Sequence, residues 1–135
     1  MKIERLVDFM QMESSGAEDW PVLFTSFLQD SHGQWRETDG REPITDVLVE
    51  GDEVLLVRDP TKPVLTLSAL VDRLTRLVER CAGFDVDSCE TPIEMDDGLI
   101  IHIDLPITGA GRDEQDKAYL VVFCAKEPGP DSSLS

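Results

Sequence analysis

The chain has 135 residues, 41% of them hydrophobic, and a formal net charge of −16 from 28 acidic against 12 basic residues. That apolar content excludes a disordered acidic tail, which lacks the residues needed to offset the entropy of ordering. The charge excludes direct binding of DNA or RNA, because such affinity comes largely from Lys and Arg neutralising phosphates.

At this length a single α+β domain over residues 1–126 is expected, followed by a flexible C-terminal tail over 127–135, which holds two Pro and three Ser. No apolar run reaches the roughly 18 to 20 residues needed to span a membrane. The opening residues have charges inside their apolar run and no small-residue cleavage site, unlike a secretory signal. Cys81, Cys89 and Cys124 are an odd set without close pairing, unlike a disulfide framework. A reducing, cytoplasmic location without membrane contact is the expectation.

Along the chain, Ile3, Leu6, Val7 and Met10 fit a short amphipathic helix that Ser14, Ser15 and Gly16 would end. Residues 20–28 satisfy either a helix or a strand, and 30–43 read as loop. Residues 46–49 and 53–57 are β-rich runs around a turn holding Gly51, the pattern of a hairpin, and Pro60 and Pro63 stop its second strand. A long amphipathic helix is predicted over 66–82. Leu67, Leu70, Val71, Leu74, Leu77, Val78 and Cys81 share one face there, Thr66 is placed as N-cap, and Gly83 suits the left-handed position after the helix.

The charge then becomes uneven. Asp85, Asp87, Glu90, Glu94, Asp96, Asp97 and Asp104 fall within 84–107 with no Lys or Arg among them, whereas 64–83 holds Arg73, Arg76 and Arg80 against Asp72 and Glu79. A strand is predicted over 99–105, a mobile loop over 108–117, and a strand apolar on both faces over 118–125, as suits a central position. The assembled expectation is a mostly antiparallel sheet packed on the 66–82 helix, with the N-terminal helix beside it. The second face of the last strand needs a cover from the N-terminal third or from another copy of the chain, so a homodimer is compatible with the pattern.

Candidate chemistry is sparse. His102 and Asp104, two apart on a strand, project to one side, where a carboxylate can orient an imidazole or both can approach a cation. A catalytic metal site usually needs three protein ligands, and His32 is the only other histidine. The run from Asp85 opens like a calcium loop but has Glu90 where Gly makes the turn and Asp96 where a bidentate Glu belongs. Cys81 and Cys124 are read as buried, and Cys89 as the one thiol with polar neighbours, whose charged members are acidic. No phosphate loop, dinucleotide fingerprint or nucleophile elbow occurs.

No catalytic residue, metal or cofactor is therefore assigned. The leading expectation is a small, non-enzymatic, protein-binding module of the inhibitor, immunity-protein or chaperone type. It would occupy a basic surface of a partner, such as a nucleic-acid-binding protein or a basic toxin, through Asp85, Asp87, Glu90, Glu94, Asp96, Asp97 and Trp35. The alternative is a small enzyme or metal-binding protein using His102 and Asp104. General solubility or adaptation to salt is an equal alternative source of the acidity, although salt adaptation would spread acids over every surface and the 84–107 cluster is local.

Overall fold

The computed structural model describes residues 1–37, 40–90, 93–94, 96–98, 100–101 and 104–126. Among these, helix α1 (Ile3–Glu13) is followed by strands β1 (Val22–Gln29), β2 (Trp35–Glu37), β3 (Glu42–Glu50) and β4 (Glu53–Arg58). Helix α2 (Leu67–Leu77) comes next, then β5 (Asp85–Glu90), β6 (Ile93–Glu94), β7 (Ile100–Ile101), β8 (Asp104–Pro106), β9 (Gly109–Asp113) and β10 (Ala118–Lys126). The architecture is α+β, as expected. One eight-stranded sheet runs β8-β5-β4-β3-β1-β10-β9 with β2 beside β1, and β6 and β7 form a separate pair. Among the described strands only β1–β10 and β4–β5 pair in parallel, so the sheet is mostly antiparallel.

Both helices lie on one face. Ile3, Leu6, Val7 and Met10 of α1 and Leu67, Leu70 and Leu74 of α2 join Val54, Leu56, Val86, Tyr119 and Val121 in the main core. The N-terminal helix is present as its spacing predicts, and Gly16 follows it with φ of +79°. Arg112 of β9 closes its end by donating to the carbonyls of Glu13 and Ser15 at 3.1 and 2.9 Å, with its guanidinium 4.7 Å from the centre of the Trp20 ring. Bonds of this kind satisfy carbonyls that have no partner inside the helix.

The second helix is shorter than the predicted 66–82. Thr66 caps it by accepting from the Ala69 N–H, but regular structure stops at Leu77. The Thr75 hydroxyl donates to the Val71 carbonyl at 2.7 Å, a contact that competes with the backbone ladder and bends helices. One turn later the Val78 N–H reaches back three residues to Thr75, at 3.4 Å. The apolar stripe continues through turns to Cys81, which is buried, so periodicity alone overstated the helix.

Three other segments depart from their expected form. The ambiguous 20–28 run is a strand, placed between β10 on one side and β2 and β3 on the other. The supposed loop 30–43 contains β2 and the start of β3. The supposed mobile loop 108–117 contains β9, which pairs along β10 with Tyr119 opposite Arg112 and Val121 opposite Ala110. Gly109 sits where side-chain space is short, since a Cβ there would meet Val122 at 3.1 Å. The β3–β4 hairpin forms as predicted, with Gly51 at φ +59° in its turn. Of the single strand predicted over 99–105, Ile100–Ile101 form β7 in the separate pair and Asp104 and Leu105 belong to β8 of the main sheet, while 99, 102 and 103 and the 127–135 tail lie outside the described residues. Among the described residues no helix is long and apolar enough to cross a membrane.

Candidate functional site

Strand β5 distributes its acids by the alternation of a strand, in which neighbours point to opposite faces. Val86 enters the helix-covered core, so Asp87 and Cys89 take the other face. On one side of β5, β4 places Leu55 beside Asp87 and Val57 beside Cys89. On the other, β8 places Asp104 opposite Cys89. The register brings Glu53 of β4, Asp87 of β5 and Asp104 of β8 together, with one carboxylate oxygen of each within 4.8 Å of the others. Leu55, Val57 and Cys89 form a small buried cluster on the same strands.

Three carboxylates at this spacing repel one another. The Glu53 carboxyl is raised above its ordinary value, first by its hydrogen bond with Asp87, then by the Asp87 charge, by partial burial, and by Asp104 and Asp52. Like charges that share a site favour retention of a proton. The Cys89 thiol is pushed up to about 11, mainly by burial and then by Asp104, with Arg58 partly opposing. It is therefore a protonated, inert group at neutral pH.

Around the opposite face, the carboxyl ends of β4 and β5 bring Arg58 and Glu90 side by side. Arg58 is only 6% exposed, lies 4.6 Å over the Phe24 ring, and reaches Glu42 at 2.8 Å and Glu90 at 3.8 Å. A cleft of about 170 Å³ adjoins it, bounded also by Ser26 and Leu105. A wider groove of about 540 Å³ runs between α1 and the β8–β9 segment, past Lys2, Arg5 and Thr108.

The residues expected to form one acidic docking surface are thus divided. Asp87 belongs to the carboxylate trio. Asp85 pairs with Lys2 at 3.2 Å, and Glu90 is engaged with Arg58. Glu94 lies on β6 opposite Ile100, and Asp96 and Asp97 are exposed before Gly98. Trp35 is 50% exposed on β2, separated from β5 by β1, β3 and β4. Of the alternative pair, Asp104 joins the trio and His102 lies outside the described residues. The cysteines are also reassigned: Cys89 is buried, whereas Cys124, read as buried, is exposed.

Glu53 escaped the sequence reading. It opens a strand that looks like half of a plain hairpin, and its nearness to Asp87 depends on β4 and β5 being joined in parallel through α2. The strand–helix–strand order was the available signal for that crossover. Comparison of the chain with known protein families, curated proteins and solved structures finds no match.

Proposed function

We propose that the chain is a non-enzymatic, cytoplasmic protein-binding module that occupies a basic surface of a partner, inhibiting, neutralising or chaperoning it. A Lys or Arg side chain of the partner would be received by Glu53, Asp87 and Asp104. The observation that supports this reading is the convergence of three carboxylates from three adjacent strands within 4.8 Å. A rigid sheet holds their mutual repulsion in place, and an arriving cation relieves it. The exposed acids Asp52, Asp85, Asp96 and Asp97 extend the negative field, which raises association rates more than it raises affinity.

Capture from a lysate of the source cells at low and high salt tests this, using the natural chain and a Glu53→Gln, Asp87→Asn, Asp104→Asn variant. The natural chain should hold a basic protein at low salt and release it at high salt. Each solvated charge pair contributes about 0.2–1 kcal/mol, so the triple variant should bind about tenfold more weakly. Equal capture by both chains would refute the role of the trio.

The same oxygens support a second reading, a divalent cation of the calcium or magnesium type, which prefers oxygen ligands. Three protein carboxylates fall short of the six to eight oxygens that calcium takes, so either ion would keep several waters there. Calorimetric titration with calcium separates the two: heat that disappears in the triple variant would support the ion.

A further inference from the structure

Strand β3 is covered on both edges for only part of its length. It pairs with β1 through Glu42 and Pro43 alone, and Leu65 then fills the next position by donating its N–H to the Ile44 carbonyl. From Val47 to Val49 the strand is hydrogen-bonded to β4 on one side. Its other edge has no strand partner among the described residues, but the Val47 N–H is bonded to the Asp46 carboxylate at 2.8 Å and Leu48 directs its main-chain groups to β4, so the outward groups are the Val47 carbonyl and the N–H and carbonyl of Val49. Leu48 and Val49 on this stretch are 43% and 46% exposed.

A free edge with exposed aliphatic side chains is a template for a further strand, and proteins commonly protect such edges with Lys, Pro or a bulge. The only irregularity in β3 falls between Ile44 and Asp46, before the free stretch, and residues 47–53 contain no Lys, Arg or Pro. The local charge is acidic, from Asp46, Glu50, Asp52 and Glu53, of which Asp46 is held by Arg73 at 2.7 Å. A second copy of the chain fits this edge poorly. Two antiparallel β3 strands centred on Leu48 would set Asp46 of one opposite Glu50 of the other, and like charges directly opposite are destabilising.

We propose that the free edge of β3 receives an extended segment of the basic partner as an added strand. The segment has two adjacent apolar residues, opposite Leu48 and Val49, and a Lys or Arg opposite Glu50. Main-chain hydrogen bonds to the Val47 carbonyl and to the N–H and carbonyl of Val49 supply affinity, and the side chains supply selectivity. This rests on the reading that the partner is basic, and adds where and in what conformation it binds. Glu50 faces Glu53 across the hairpin, so a cation beside Glu50 stands at the margin of the carboxylate trio.

The test uses the full chain and a fluorescein-labelled peptide of about six residues, Lys-Val-Val-Thr-Lys-Thr, close to the usual strand length. Two analogues carry N-methyl groups on one or the other alternate set of residues. Amide exchange at Val49, whose N–H points to the outer edge, should slow about tenfold or more on binding, and one N-methyl analogue, but not the other, should bind about tenfold more weakly. Binding that leaves the Val49 amide unprotected, equal affinity of both analogues, or no binding at all would overturn the proposal. Protection that grows with protein concentration in the absence of peptide would also overturn it, by assigning the edge to self-association. Protection retained in the Glu53→Gln, Asp87→Asn, Asp104→Asn variant with unchanged affinity supports the edge while removing the trio from the interface. Weaker binding by that variant without edge protection in the natural chain does the reverse.

Discussion

Replacing Glu53 by Gln should stabilise the fold at neutral pH, because it removes one charge from the Glu53, Asp87 and Asp104 group while keeping a side chain able to bond Asp87. Two unit charges 4.8 Å apart repel by about 0.9 kcal/mol in a water-like dielectric and by about 3.5 kcal/mol at an effective dielectric constant near 20. Glu53 is partly exposed, which places the gain towards the lower figure, at about 1–2 kcal/mol. The raised carboxyl of Glu53 means that the folded state takes up its proton more readily than the unfolded state does. Its contribution to stability is therefore fully present below the ordinary value of 4.5 and is lost as pH rises through the folded value. The advantage of Glu53→Gln should accordingly appear at pH 7, shrink with added salt, and vanish near pH 4. Urea unfolding followed by tryptophan fluorescence measures it, with Trp20 half-buried against Arg112 as a reporter. A gain of equal size at both pH values, or a loss at pH 7, would refute the reasoning.

Arg112→Ala removes two charge-assisted bonds to the end of α1 and the contact with Trp20, and should cost about 2–4 kcal/mol. Arg112→Lys should recover only part of this in chemical denaturation, since an ammonium cannot reproduce the guanidinium fork. Thiol titration of the native chain with an aromatic disulfide reagent should modify Cys124 rapidly and leave Cys81 and Cys89 unreacted, all three reacting in denaturant. Rapid native reaction at Cys89 would contradict its burial and its raised thiol.

Elements with strong local patterns were legible in the sequence. The α1 spacing, the Gly51 hairpin and the long apolar run of β10 each specify themselves over a few residues. The extent of α2 was not legible, because the Thr75 side chain competes with the ladder without altering the apolar stripe. β2 and β9 were missed because polar or glycine-rich residues form strands only when a neighbour supplies the ladder, here β1 and β10. For the candidate site, charge clustering along the chain grouped Asp85, Asp87 and Glu90 in one acidic docking surface. Pairing then separated all three: a basic side chain from outside β5 approaches Asp85 and another Glu90, while Asp87 meets two further carboxylates. Glu53 could be joined to Asp87 only through the parallel register of β4 and β5, a long-range fact that charge clustering along the chain does not contain.

The parallel pairing of β1 with β10 also governs how the molecule can be assembled. Val22 meets Tyr119 and Gln29 meets Lys126, so two neighbouring strands are separated by most of the polypeptide. Loop closure of that length delays the contact, whereas β3, β4, α2 and β5 can organise from short-range encounters. During synthesis, β1 remains without this neighbour until β10 has been made. An early half-built sheet would expose Phe24 and Val22, and the surplus negative charge then has a second use, keeping such intermediates of different chains apart.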